Sequence, residues 1–136
     1  FYRAPEIVLG IPYTAAIDMW SFGCILYELY IGYPLFPGED EKDHMALMME
    51  IKGIPPRSVL ARSSRRKVFF DEDYNPIIVP NSRGKLRVPN NKSLKNMMNC
   101  SDNDFVDFID VSSNSIFFLT LLSIYRNASS GNMRLD

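Results

Sequence analysis

The pattern of apolar and polar residues along the chain predicts helices separated by segments rich in proline and glycine. Residues 15–31 contain no proline, and apolar side chains recur there at three- and four-residue steps, which is typical of a helix. Apolar residues also occupy most of the other positions, so we expect this helix to be enclosed by neighbouring elements. Gly32 and the proline-containing loop behind it end the helix.

A second helix is predicted over residues 41–52, where early acidic residues favour the positive N-terminal end of a helix. Its apolar stripe consists of Met45, Met48 and Met49. Methionines at this spacing usually pack into a core, and a plastic docking face is the less common alternative.

Shorter elements are predicted on either side of these two helices. Residues 1–14 hold two prolines and a glycine, so we expect an ordered loop with one short helical turn. Residues 102–110 carry apolar side chains at helical spacing behind Ser101 or Asp102 as N-cap, which predicts a short amphipathic helix. The predicted fold class is therefore mainly α.

The segment that follows the second helix, up to residue 101, has basic clusters and repeated turn signals, and we interpret it as a long irregular insertion. Within it, residues 77–79 and 85–88 are candidates for a short β-hairpin. Gly84 can supply the positive φ that a tight turn needs. The basic cluster at residues 62–67 is a weak candidate for a nuclear-import signal.

Composition excludes several classes of function. With 15 basic and 16 acidic residues among 136, the net charge of −1 gives no field that would attract nucleic acid or anionic lipid. The apolar run at residues 116–125 is shorter than the roughly 20 residues that cross a bilayer, so we expect no membrane span. Cys24 and Cys100 form no metal-binding or disulfide pattern, which fits a reducing compartment. No export leader is expected.

Short motifs in a fixed order carry a family resemblance. Ala4-Pro5-Glu6 is the tripeptide that closes the activation segment of eukaryotic protein kinases, and residues 18–24 read DMWSFGC. FYRAPE, then DMWSFGC, then ELYIGYPLFPG resembles consecutive kinase subdomains. Tyr2-Arg3 and the insertion after the second helix resemble the group of cyclin-dependent, mitogen-activated and dual-specificity tyrosine-regulated kinases. The segments GYPLFPGEDE, RSSRRKVFF and VPNSRGKLR are most similar to the last of these families.

The resemblance implies a protein kinase-like C-terminal lobe that is incomplete. Residues 1–110 would be part of the kinase domain and residues 111–136 a divergent tail. The N-lobe and the catalytic loop would lie in sequence outside these 136 residues. G-x-G-x-x-G, V-A-I-K, H-R-D and D-F-G are absent, so we assign no catalytic residue, metal ligand or ATP site to this chain.

The resemblance further implies a serine/threonine or dual-specificity kinase that transfers phosphate from ATP, with Mg, to protein substrates. We expect proline-directed phosphorylation, in which a proline follows the target residue of the substrate. The protein is expected in the cytoplasm, the nucleus or both. The chain alone is expected to be inactive, and to expose apolar surface and aggregate, because elements that would enclose its first helix are missing. The alternative is a noncatalytic interaction module that uses the methionine helix and the basic insertion.

The resemblance implies roles for two residues near the start, one in the activation segment and one in substrate binding. Arg3 would contact the phosphotyrosine of the activation loop, because a planar guanidinium pairs bidentately with phosphate. A solvated surface arginine is the alternative. Tyr2 would lie in the loop that receives the residue after the phosphoacceptor, and a simple packing aromatic is its alternative.

Four further residues would support the site structurally. Glu6 would form a buried ion pair with an arginine near the end of the domain, for which Arg134 is the candidate, although an exposed tail arginine remains the alternative. Asp18 would accept backbone hydrogen bonds from the catalytic loop, and Trp20 belongs to the same motif. A buried carboxylate is costly without its partner.

Overall fold

The computed structural model describes residues 1–113. Among them are seven helices: α1 (Pro5–Val8), α2 (Ala16–Ile31), α3 (Glu41–Lys52), α4 (Arg57–Leu60), α5 (Arg66–Phe69), α6 (Leu94–Met98) and α7 (Asn103–Ser112). The described residues form no strand, apart from one isolated antiparallel bridge between Phe70 and Pro76. The mainly α class is therefore confirmed. No described helix is long and apolar enough to cross a membrane.

The three longest helices begin and end close to their predicted positions. α2 starts one residue later than expected, and Gly32 ends it in the left-handed conformation with φ 82°. α3 covers the predicted residues, and the side chain of Asp40 caps it by accepting from the amide of Asp43 at 2.8 Å. α7 runs two residues further than expected, and its N-cap is Asp102 rather than Ser101.

The core lies where α2, α3 and α7 meet the loops between them. Trp20 is fully buried and stacks on Phe36, with ring centroids 5.3 Å apart. α7 crosses α2 at Gly23, where an added Cβ would lie 3.0 Å from the Cβ of Ser112. Glycine permits this close approach of the two helices.

The methionine stripe of α3 faces this core. Met45, Met48 and Met49 are between 1% and 6% exposed. Core packing is therefore confirmed, and these three methionines are too buried to form a docking face.

α2 exposes apolar surface, as expected for the chain alone. Only one face of the helix is enclosed by described residues, whereas Phe22, Ile25 and Leu29 are 43%, 45% and 77% exposed. The physical reason is that α7 and the loop after α2 cover a single side of the helix.

The insertion is irregular as predicted, but it contains the short helices α4, α5 and α6. The two strands of the predicted hairpin do not form. Its turn does form, since Gly84 has φ 75° and the Asn81 amide donates to the Lys85 carbonyl at 3.1 Å. Residues 77–79 are exposed, so a two-stranded ribbon would have no apolar face to bury. Instead, the amide of Ser82 donates to Glu39 at 2.7 Å, which holds the turn beside the start of α3.

Candidate functional site

Tyr2 is anchored on α2 by both its side chain and its backbone. Its hydroxyl donates to the carboxylate of Glu28, and its carbonyl accepts from the Ser21 hydroxyl at 2.9 Å. The hydrogen bond to Glu28 raises the pKa of Tyr2, so the phenol stays protonated at neutral pH. The ring is 39% exposed. The geometry therefore fixes an accessible aromatic side chain against α2.

Arg3 extends from the same segment towards the start of α3. Its side chain is 61% exposed, and its Nη1 lies 3.9 Å from Oε1 of Glu41. Glu41 is already bound by Arg65, whose two terminal nitrogens donate to it at 3.1 and 2.5 Å. The Arg65 hydrogen bonds lower the pKa of Glu41. Arg3 thus sits at the edge of this ion pair, with guanidinium donors open to solvent.

Arg65 joins the insertion to the N-terminal segment, a role that the sequence did not indicate. Its Nη1 also donates to the carbonyl of Val8 at 2.9 Å, and the hydroxyl of Ser63 donates to the carbonyl of Leu9 at 2.6 Å. These bonds satisfy carbonyls at the end of α1, which a one-turn helix leaves without internal partners. Because Arg65 lies 57 residues from Val8, sequence spacing offers no signal for the contact.

A buried ion-pair network connects α3 to the later part of the insertion. Arg87 contacts Asp43 at 2.7 Å and Glu50 at 3.6 Å, and Lys92 contacts Glu50 at 2.7 Å. The Glu50 side chain is only 2% exposed. Burial opposes ionisation of Asp43, but the Arg87 hydrogen bond and the charge of Arg87 outweigh it and lower the pKa. Sequence analysis assigned none of these residues.

The remaining predicted site residues are not gathered around one point. Glu6 is buried at 3% exposure, whereas Asp18 is exposed in the first turn of α2. Trp20 is buried, and its ring nitrogen has no hydrogen-bond partner within residues 1–113. Arg134 lies outside the described residues, so its pairing with Glu6 stays a prediction.

The described residues do not provide a metal site. Within residues 1–113, no cluster of three or more His, Cys, Asp or Glu side chains could hold a metal ion. The one histidine, His44, is buried in α3, and this burial lowers its pKa to about 4, so it is neutral at pH 7. What the described arrangement offers is an accessible tyrosine, an exposed arginine and a rigid helical base beneath them.

Comparison with known proteins identifies the family of the chain. The family model for the protein kinase domain matches residues 1–111. The chain is 49% identical to Dual specificity tyrosine-phosphorylation-regulated kinase 2 of Drosophila melanogaster and 50% identical to Dual specificity tyrosine-phosphorylation-regulated kinase 4 of Homo sapiens. It is 48% identical to the DYRK-family kinase pom1 of Schizosaccharomyces pombe. Each match covers 80% of this chain.

The same matches cover 15%, 21% and 10% of the three relatives, so the chain spans between about a tenth and a fifth of their length. The range matched by the family model includes the segments FYRAPE, DMWSFGC and ELYIGYPLFPG. The chain therefore belongs to the protein kinase family, and over most of its length it is similar to the dual specificity tyrosine-phosphorylation-regulated kinases.

Proposed function

We propose that residues 1–110 are part of the C-terminal lobe of a dual-specificity kinase, with residues 111–136 as a divergent tail. In the whole protein, this lobe would present protein substrates for phosphate transfer from Mg-ATP. The observation that carries the proposal is the fixed position of Tyr2 on α2 and of Arg3 beside α3. Both residues lie in the segment that closes the activation loop in the resembling kinases.

In this proposal Arg3 binds the activation-loop phosphotyrosine. Its contact with Glu41 at 3.9 Å is long and solvent-exposed, and such pairs contribute little. A phosphate offers more acceptor oxygens and more charge than that shared carboxylate. Since Arg65 already neutralises Glu41, Arg3 can turn to a phosphate without leaving the Glu41 carboxylate unpaired.

Tyr2 would shape the pocket for the substrate residue that follows the phosphoacceptor. The bonds to Glu28 and Ser21 hold its backbone and ring, so the pocket is formed before the substrate arrives. A proline ring packs well on an accessible aromatic face. The proposed substrates are therefore proteins with proline after the target serine or threonine.

Chemistry would come from parts of the kinase that this chain does not contain. ATP and Mg would be bound by the N-lobe and the catalytic loop, and no described residue fits that task. The role of Trp20 is to hold the core beneath the N-terminal segment, and Asp18 remains exposed for a catalytic-loop partner. We also propose that Glu6 pairs with Arg134, and that the protein is located in the cytoplasm, the nucleus or both.

A chimeric kinase tests the proposal directly. Residues 1–110 would replace the matching segment of the human relative, and transfer to Ser-Pro and Ser-Ala peptides would be measured beside the 136-residue chain alone. We expect activity from the chimera with a preference for Ser-Pro, and none from the chain. A folded but inactive chimera would refute the proposal. Enzyme-like transfer by the chain alone would refute the inference that the ATP site and the catalytic loop lie outside these 136 residues.

Arg3→Gln in the chimera tests the phosphotyrosine role. Hydrogen bonds to charged groups contribute about 1.5–3 kcal/mol, so kcat/KM should fall roughly tenfold or more. Arg62→Gln, at another exposed arginine, is the matched control and should leave kcat/KM unchanged. Equal rates for both variants would show that Arg3 is an ordinary surface arginine.

The noncatalytic interaction module remains a second hypothesis. It was expected to use the methionine helix, but the three methionines of α3 face the core. The basic insertion would therefore have to form the interaction surface. Two of its arginines, Arg65 and Arg87, already form ion pairs with α3.

A further inference from the structure

Tyr74 has an unusual backbone and side-chain setting within the insertion. Its φ is 63°, a value that bulky residues rarely adopt. Outliers of this kind cost free energy and often mark functional positions. The ring is half-buried, while its hydroxyl has no hydrogen-bond partner among the described residues and is not one of the buried polar atoms. The hydroxyl is therefore in contact with solvent.

Two guanidinium groups lie against the Tyr74 ring. The Cζ of Arg66 is 4.8 Å from the ring centroid, and the Cζ of Arg57 is 5.2 Å from it. Each arginine is also held by the loop, since Arg57 donates to the Asp73 carbonyl at 3.0 Å and Arg66 donates to the Asp71 carbonyl at 2.5 Å. The two cations are thus brought to the tyrosine from different helices, α4 and α5.

These two arginines differ from Arg65 and Arg87 because neither has a carboxylate partner. Among the described residues, no Asp or Glu oxygen lies within 4.0 Å of Arg57 or Arg66, although acidic residues occupy the same loop. Of the five N–H donors that a guanidinium carries, each uses only one in a side-chain hydrogen bond to a described residue. Charge and donors therefore remain for an anion placed at the end of the ring.

We propose that Tyr74 is a tyrosine-phosphorylation site whose phosphate is held by Arg57 and Arg66. In the reaction, the Tyr74 hydroxyl oxygen forms a bond to the γ-phosphorus of ATP bound to a tyrosine kinase. The bond from that phosphorus to the bridging oxygen breaks, and ADP leaves with the electron pair. The phenolic proton passes to the catalytic Asp of that kinase.

The modification would add charge-assisted hydrogen bonds to a loop that is already held by backbone hydrogen bonds, by the two arginine–carbonyl contacts and by the ring contacts. A phosphotyrosine brings roughly two negative charges and three strong acceptor oxygens, which match two guanidinium forks. Pairing with both arginines would tie α4 and α5 to residues 71–75. The competing reading is that the two arginines only pack on the ring, as cation–π contacts do without any modification.

The phosphate pKa distinguishes these readings. Phosphotyrosine would be incorporated at position 74 of a full 136-residue chain that also carries Ile25→Glu and Leu29→Lys, two substitutions on the exposed face of α2 that favour solubility. Its second pKa would be followed by 31P NMR. We expect a value clearly below the usual value of about 6, because the two cations favour the dianion. In a phosphorylated Arg57→Gln/Arg66→Gln chain, the pKa should return to the usual value.

Two controls complete the test. Phosphotyrosine at position 13, where the native tyrosine is 60% exposed, should titrate with the usual pKa. A tyrosine kinase domain with Mg-ATP should also label the unmodified chain at Tyr74, as read by peptide mass spectrometry. A pKa at position 74 that the two arginine substitutions do not change would overturn the proposal. Labelling of Tyr13 without labelling of Tyr74 would also overturn it, since it would mean that the hydroxyl is inaccessible.

Discussion

The exposed face of α2 allows a substitution that should improve solubility at little cost in stability. We consider Ile25→Glu together with Leu29→Lys, two positions one helical turn apart on the side of α2 that the described residues leave uncovered. A Glu four residues before a Lys is the favourable order for a helical ion pair. The double variant should therefore replace an apolar surface with a charged one and keep the helix.

The expected loss of stability follows from how much of each side chain is already in water. Leu29 is 77% exposed and Ile25 is 45% exposed. Full burial of such a side chain contributes about 1.5–3 kcal/mol, so the buried quarter of Leu29 contributes about 0.5 kcal/mol and the buried half of Ile25 about 1 kcal/mol. The new ion pair returns about 0.2–0.5 kcal/mol. The net destabilisation should be close to 1 kcal/mol.

The matched control is Ile109→Lys on α7, at a position that is fully buried against α2. Truncation of such a residue to Ala alone costs about 2–5 kcal/mol, and a buried unpaired charge adds to that. This variant should lose its helical circular dichroism at temperatures where the double variant keeps it.

Dye binding, light scattering after size exclusion and thermal circular dichroism measure the outcome. The parent chain should bind a hydrophobic dye and self-associate, and the double variant should do both far less while melting within a few degrees of the parent. If the parent is monomeric and does not bind the dye, the face is not exposed. If the double variant unfolds as completely as Ile109→Lys, the face is covered and the burial argument is wrong.

Three further predictions concern α3 and can be measured by urea unfolding in the soluble double variant. Arg87→Met should destabilise the chain by about 3 kcal/mol or more, because it removes the ion-pair partner of the largely buried Asp43 and one of the two partners of Glu50. A loss below about 1 kcal/mol would mean that the network is not buried. The pKa of His44 is lowered to about 4 by burial, so the unfolded state binds the extra proton between pH 6.5 and 4. Stability should therefore fall as pH drops through that window, and His44→Gln should remove this part of the slope; parallel curves would contradict it. Gly53→Ala should cost more than about 1 kcal/mol, since φ is 83° and the new Cβ would lie 2.7 Å from Oδ1 of Asn90; an unchanged midpoint would refute the strain argument.

Local features of this fold were readable from the sequence because they depend on nearby residues. The left-handed end of α2 at Gly32 and the capping of α7 by Asp102 follow from the chemistry of single positions. The burial of Met45 follows from helical periodicity. The failure at residues 77–79 has a related cause, since a hairpin signal describes local turn geometry and cannot report whether an apolar face exists to cover the strands.

Long-range polar contacts were not readable. Arg65 and Arg87 stand in basic stretches that resemble any solvated surface, and their partners Val8 and Asp43 are more than 40 residues away. Composition records the number of charges, whereas burial decides which of them are paired. For the same reason, the sequence suggested a role for Arg3 only through the family motif, and the proximity of Glu41 could be found only in the folded chain.

The insertion is therefore part of the scaffold on which the N-terminal segment rests, and this changes what its substitution would do. At its near end, Arg65 binds the Val8 carbonyl and Glu41, and Glu41 in turn lies beside Arg3. At its far end, the amide of Lys92 donates to the carbonyl of Glu50 at 3.0 Å, near the last turn of α3. One helix thus receives contacts from both ends of the insertion. Because α3 positions the Glu41 carboxylate beside Arg3, loss of the Arg65 contact would change the electrostatic surroundings of that arginine.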